Sequence, residues 1–271
     1  MLSNSRLILV AIVAIGIVLS PSATAWYGEC GDVDCSGGTD IDDVVYLINY
    51  IFVSGPAPCD PDNNDLYDCG VCPIGTVTDI DGNLYYTVKI GDQWWMLENL
   101  RVTHYRNGDP IPHVTDGVEW EGLSTGAYCD YDNNPANVAT YGRLYNWYAV
   151  DDARNIAPAG WHVPSDAEYQ TLENYLGGFS IAGGKMKETG TTHWDPPNTG
   201  ATNESGFSVL PGGYRSLSGP FTGMGGCATF WSSTEFGCFH AWGLSLHYSS
   251  SQVNRFFTSA HYGHSVRCVR D

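Results

Sequence analysis

The sequence predicts an α+β domain in which a small antiparallel sheet is followed by two helices, a long loop and strands that return to the first sheet. Three stretches carry that expectation. "TVTDIDGNLYYTVKIGDQWWMLENL" alternates apolar and polar residues around Asp81-Gly82, the signal of a type I′ hairpin, and turns again at Gly91-Asp92. "GWHVPSDAEYQTLENYLGG" is a helix with both ends marked: Ser165 and Glu168 form a capping box, Tyr169, Leu172 and Leu176 line one face, and Gly177-Gly178 stops it. "ATFWSSTEF", "HAWGLSLHY" and "HSVRCVRD" read as three closing strands, the last placed to pair with the first ones.

Taken from the start, residues 1–25 read as a secretory signal. Arg6 precedes an apolar run from Leu7 to Leu19, then Pro21 and the small residues Ala23-Thr24-Ala25, with cleavage expected after Ala25. The run is shorter than the ~20 residues a membrane-spanning helix needs, and no second long apolar run follows it. The expected product is therefore secreted, without membrane insertion after cleavage. The 271 residues, 43% hydrophobic and 13% aromatic, suffice for a real core, and the nine cysteines fit an oxidising compartment. A formal net charge of −18 argues against nucleic acid or an anionic membrane surface as partner and suits a cation. The acidic residues crowd the segment 26–72, which carries no Lys or Arg, so the main domain is expected to span 73–271.

The acidic segment contains a calcium loop running into a short apolar helix. Asp32, Asp34, Ser36 and Asp40 alternate as oxygen donors, Gly37 turns the chain, Gly38 offers its carbonyl, and Asp43 closes the loop. Val44, Val45, Leu47, Ile48 and Ile51 recur with helical spacing behind it. The plainer alternative is a polar turn ahead of an ordinary helix. "GDVDCSGGTDIDDVVYLINYI" resembles one repeat of a type I dockerin, an EF-hand-like calcium module whose usual partner is a cohesin domain. A dockerin is built from two such repeats, and no second loop-plus-helix is present. The nearest candidate is "CDPDNNDLYDC", where Asp60, Asp62, Asn64 and Asp68 could gather around a cation or form a solvated turn. That stretch is somewhat similar to the short calcium repeats of thrombospondins.

In the main domain, "TYGRLYNWYAVDDARNI" supplies the other helical face, in Leu144, Trp147, Tyr148 and Val150. The motifs "DGNLYYTVKIGDQWWMLENLRV", "GAYCDYDNNPANVATYGRLYNWYAV", "GWHVPSDAEYQTL", "SGFSVLPGGYR", "FWSSTE" and "SVRCVRD" follow one another in a fixed order. Together they resemble the bacterial family called the Fibrobacter succinogenes major paralogous domain, over about Gly75 to Asp271. The layout of "LYNWYAV", "GWHVPS", "FWSSTE" and "SVRCVR" is also similar to the C-type-lectin-like fold. These resemblances imply an exported, surface-associated domain with two helices, small antiparallel sheets and long loops, and they imply no particular chemistry.

Several residues are candidates for a site. Asp130, Asp132, Asn133 and Asn134 in "YCDYDNN" are a possible calcium loop, set against a turn capped by its own Asx side chains. Trp120, Trp194 and Tyr214 fall in loops and are expected to offer rings that stack on sugars, whereas Trp94, Trp95, Trp147, Trp161 and Trp231 belong to the core. Cys227 and Cys238 flank "ATFWSSTEFG" and are expected to pair, as are Cys129 and Cys268. The histidines of "HYGH", His261 and His264, lack a third metal ligand nearby and read as surface residues. Ser232-Ser233 has no nucleophile-elbow glycines, and the cysteine surroundings do not resemble a formylglycine-generating enzyme.

The resulting expectation is a non-catalytic secreted bacterial surface protein with Ca2+ as its cofactor. Its partner would be an extracellular polysaccharide or surface protein. The front module would dock to a cohesin-like domain or drive self-association, making the chain a structural subunit of an assembly. A third reading is a carbohydrate-active enzyme accessory.

Overall fold

The structure, a computed structural model, describes residues 74–271. The secretory signal, the calcium loop Asp32 to Asp43 and the Asp60 to Asp68 cluster lie outside the described residues. From Thr76 to Asp271 the chain forms one unit, mixed in class but built mostly of strands.

The elements in order are β1 (Ile74–Thr78), β2 (Leu84–Ile90), β3 (Gln93–Met96), α1 (Gly117–Glu121), β4 (Tyr128–Cys129), α2 (Val138–Tyr141), β5 (Leu144–Tyr145), α3 (Trp147–Val150) and β6 (Trp161–His162). They continue with α4 (Asp166–Tyr175), α5 (Ala182–Met186), β7 (Gly212–Arg215), β8 (Phe221–Met224), β9 (Cys227–Glu235), β10 (His240–His247), β11 (Asn254–Ser259) and β12 (Val269–Arg270). One sheet has the order β1-β2-β3-β12-β6, a second β11-β10-β9-β7-β8, and β4 pairs with β5 alone. The last strand does return to the first ones: Val269 pairs with Trp95 on one side and with His162 on the other.

The first hairpin forms around the expected residues but with a longer turn. Asp79 and Asn83 close a three-residue loop, and only Gly82 takes a positive φ, of 83°. That is a turn followed by a left-handed glycine, not the two-residue I′ turn, because the Asp79 carboxylate captures the amides of Asp81 and Asn83 and widens the loop.

Helix α4 forms as its residues dictate. The Ser165 side chain accepts from the Glu168 amide, and the Glu168 carboxylate accepts from the Ser165 amide. At the far end Gly178 donates to Glu173 O and Gly177 to Asn174 O, so the glycines satisfy two terminal carbonyls. The second expected helix contracts to the single turn α3, capped by Asn146, because Leu144 and Tyr145 are drawn into β5. Strand β11, absent from the sequence reading, pairs along six residues of β10.

The core has two large clusters. One centres on Tyr85, Tyr145, Trp147, Trp161 and Trp231; the other packs Tyr169, Leu172 and Leu176 of α4 and its end against Trp95, Phe207 and Phe230. The long loops are tied down by buried cations. Arg215 donates to the carbonyls of Val114, Thr115 and Gly219, and Lys187 to those of Thr199, His247 and Ser250. Arg267 is held by Asn99 Oδ1 and Phe207 O. Each guanidinium or ammonium thus answers carbonyls that irregular backbone would otherwise leave unpaired.

Candidate functional site

Strands alternate their side chains, so β10 and β11 have two faces. One face sends Leu244 and Leu246 into the core, and Arg255 to an ion pair with Asp166 at the start of α4. The other face carries Ser245, Asn254, Phe256 and Thr258, and these line a groove of about 370 Å³. Phe256 lies directly across from Gly243, where a Cβ would stand 2.8 Å from its ring, so the missing side chain is what lets the ring settle on the sheet. Tyr214 of β7, Tyr262 and His264 complete the wall and floor.

His264 is held by its backbone on three sides. It exchanges both main-chain bonds with Tyr145, while its neighbours Gly263 and Ser265 bond to Arg215, Thr229 and Trp231. Four rings surround its imidazole: Trp231 at 4.5 Å between centroids, Phe256 at 5.4 Å, Tyr262 at 5.7 Å and Tyr214 at 5.8 Å. Its Nδ1 lies 2.8 Å from Thr229 Oγ1, and that hydroxyl donates its only proton to Gly213 O. Nδ1 therefore carries the ring proton and donates to Thr229, leaving Nε2 as a bare acceptor. Nε2 has no hydrogen-bond partner and is screened from solvent. Burial holds the imidazole pKa down to about 3, so the ring is neutral at physiological pH.

No Asp, Glu, Lys or Arg lines this groove. Burial pushes the Cys227 thiol at its edge up to about 11, away from the thiolate that nucleophilic or redox chemistry needs. The surface is mostly one of flat rings, hydroxyls and an amide, with Leu246, the Cys227 thiol and the His247 imidazole beside them. Such a surface suits a ligand with an apolar face and neutral polar edges.

Of the three rings expected to stack on sugars, Tyr214 alone lines the groove. Trp120 is 0% exposed, in α1 rather than a loop, donating Nε1 to His261 O and covered by the Arg215 guanidinium 4.4 Å from its ring centroid. Trp194 is 1% exposed and donates to Val209 O. Both are corrected from exposed stacking rings to core members, each with its indole N–H bonded to a backbone carbonyl of another segment. The core assignment of Trp95, Trp147, Trp161 and Trp231 agrees with their burial, and Trp94 is half-buried.

In the Asp130 to Asn134 loop, three of the four candidate side chains are taken up by protein partners, and Asp132 is exposed. Asp130 is buried against Arg143, Asn133 donates to Thr115 O, and Asn134 accepts from the Ala136 amide. Among the described residues, no group of three or more His, Cys, Asp or Glu gathers as metal ligands would.

The proposed disulfides are corrected as well. Cys227 opens β9 and Cys238 lies past its other end, separated by a nine-residue strand that spans roughly 30 Å, against the ~7 Å limit between bridged Cα atoms. Cys129 and Cys268 are buried in different clusters, and all four stand as free thiols. His264, read from the sequence as a surface residue, is 2% exposed. Phe256, Asn254 and Thr258 went unseen with β11, although their alternation along "NRFFTS" was the available signal.

A groove of neutral polar and aromatic side chains on one face of a mixed α and β domain defines a class of shape, not an activity. The chain's membership is specific: the model of the Fibrobacter succinogenes major domain matches residues 88–270, and the chain belongs to that family. No curated protein and no solved structure matches it. Among the described residues, no helix is long and apolar enough to cross a membrane.

Proposed function

We propose that this is an exported bacterial surface protein whose main domain, C-type-lectin-like in architecture, binds an extracellular polysaccharide in the groove between β7, β10 and β11. The single observation that carries the reading is the groove itself: Tyr214, Tyr262 and Phe256 offer apolar ring faces, and Ser245, Thr258 and Asn254 offer hydrogen bonds beside them. A pyranose has the complementary make-up, a flat face of C–H groups bordered by hydroxyls. The reading is non-catalytic, since no carboxylate pair flanks the groove. The acidic segment 26–72, dockerin-like at Asp32 to Asp43, would be ordered by Ca2+ and dock the protein to a partner.

The test is binding of the exported chain to immobilised neutral polysaccharides, compared with Tyr214→Ala and Tyr262→Ala. Loss of about 1–2 kcal/mol per ring, roughly tenfold in affinity, is expected. Equal retention of all three proteins would sink the groove as the binding surface.

A second reading, the structural subunit of an assembly, draws support from a separate feature. Phe236 and Phe257 are 41% and 52% exposed and pack on each other and on Trp242, an aromatic patch on the opposite face of the same ribbon. Light scattering with and without calcium, on the native chain and on Phe257→Ser, distinguishes it.

A further inference from the structure

His264 is sealed, neutral and one hydrogen bond short. Its tautomer is fixed from behind by the relay Nδ1–H to Thr229 Oγ1 and Thr229 Oγ1–H to Gly213 O, at 2.8 Å and 3.1 Å. Its backbone is clamped to Tyr145 on both sides, so the ring is presented in one place and one protonation state. Buried acceptors are rarely left without a donor, because the unmade bond costs free energy that a ligand can restore. The atom belongs to a residue that lines the groove, and no other lining side chain can pair with it from where it stands.

Resting on the groove reading above, we infer that His264 is the specificity-determining residue: its Nε2 accepts a hydrogen bond from a hydroxyl of an uncharged sugar ring. The half-exposed rings of Tyr214 and Tyr262 form the cover that the sugar displaces on entry, then stack on it. An acidic sugar is disfavoured, since a carboxylate has no proton to give Nε2 and meets no Lys or Arg in the lining. A cationic amino sugar meets no carboxylate there either. The ligand class is therefore a neutral pyranose with a free hydroxyl at the position that reaches the floor.

The experiment uses the full exported chain labelled with 15N at histidine, and long-range 1H–15N correlation spectra. The probes are methyl glycosides of glucose, galactose, mannose and xylose, with glucuronic acid as the charged comparison. In the free protein His264 should show protonated Nδ1 and unprotonated Nε2. Addition of at least one neutral glycoside should move the Nε2 resonance upfield, and the O-methylated or deoxy form at the contacting position should bind roughly tenfold more weakly. His264→Phe, which keeps a ring in the cage, should lose the same factor.

A free-protein spectrum with the proton on Nε2 overturns the assignment. So does glycoside binding that vanishes in Tyr214→Ala yet leaves Nε2 unmoved, while the groove reading survives. If no neutral glycoside perturbs either tyrosine or histidine, the groove reading itself fails, and this inference falls with it.

Discussion

His162 and His264 put one side chain into two opposite settings. His162, 35% exposed, stands between two carboxylates, with Nδ1 2.6 Å from Asp271 and Nε2 2.8 Å from Glu168. His264 lies inside a ring cage with a neutral hydroxyl as its one partner. Burial tends to lower both, but at His162 the hydrogen bonds and charges of Asp271 and Glu168 outweigh it and raise the pKa. At His264 nothing opposes burial, and the pKa falls to about 3. Whether an imidazole is a proton carrier or a fixed neutral acceptor is thus set by what stands within 3 Å of its nitrogens.

The largest test of this contrast is acid titration of stability. His264 has a depressed folded pKa, so its contribution is complete above the unfolded value of 6.5 and is lost as pH falls towards about 3. Urea unfolding between those limits should show a loss of a few kcal/mol that His264→Phe removes from the pH slope. An unchanged slope in the variant would mean that the imidazole takes up its proton without cost.

Thr229→Val sharpens the same point from the partner's side. It leaves the buried Nδ1–H without an acceptor, and a destabilisation of about 1–3 kcal/mol at neutral pH is expected, measured by denaturant midpoint. A change below a few tenths would show that the relay does not fix the tautomer.

The smallest effect belongs to His162. Its folded pKa is raised, so the stabilisation is full below 6.5 and disappears as pH rises through the folded value. With a third of the side chain exposed, solvent screening keeps it below about 1 kcal/mol. The melting temperature of the native chain should fall slightly from pH 6 to pH 8, and that of His162→Gln should not.

The two histidines also mark what could be read in the sequence. Glu168, one of the carboxylates on His162, was legible as the third residue of a capping box, because helix ends are local matters of a few residues. The closing strands and the return of Val269 to Trp95 were legible from alternation. His264 was not, because its surroundings come from Gly213, Thr229, Trp231 and Phe256, positions whose meeting depends on the pairing of β7, β9 and β11. The burial of Trp120 and Trp194 was hidden for a related reason. Glycine- and asparagine-rich loops read as exposed, yet here they carry carbonyls that Arg215 and Lys187 draw inward. The single predicted ring that does line the groove, Tyr214, sits on a strand and not in the loop assigned to it.

Lys187 has one more consequence. Its ammonium, drawn down by burial to a pKa of about 8 and so still charged at neutral pH, sits 2.9–3.1 Å from three carbonyls contributed by two separate stretches of chain. Carbonyl oxygens converging on a positive centre are what a bound inorganic ion provides, except that this centre is covalently part of the polypeptide. No chelator can extract it and no dilution can deplete it. The loops it gathers therefore keep their order when dissolved ions are stripped away.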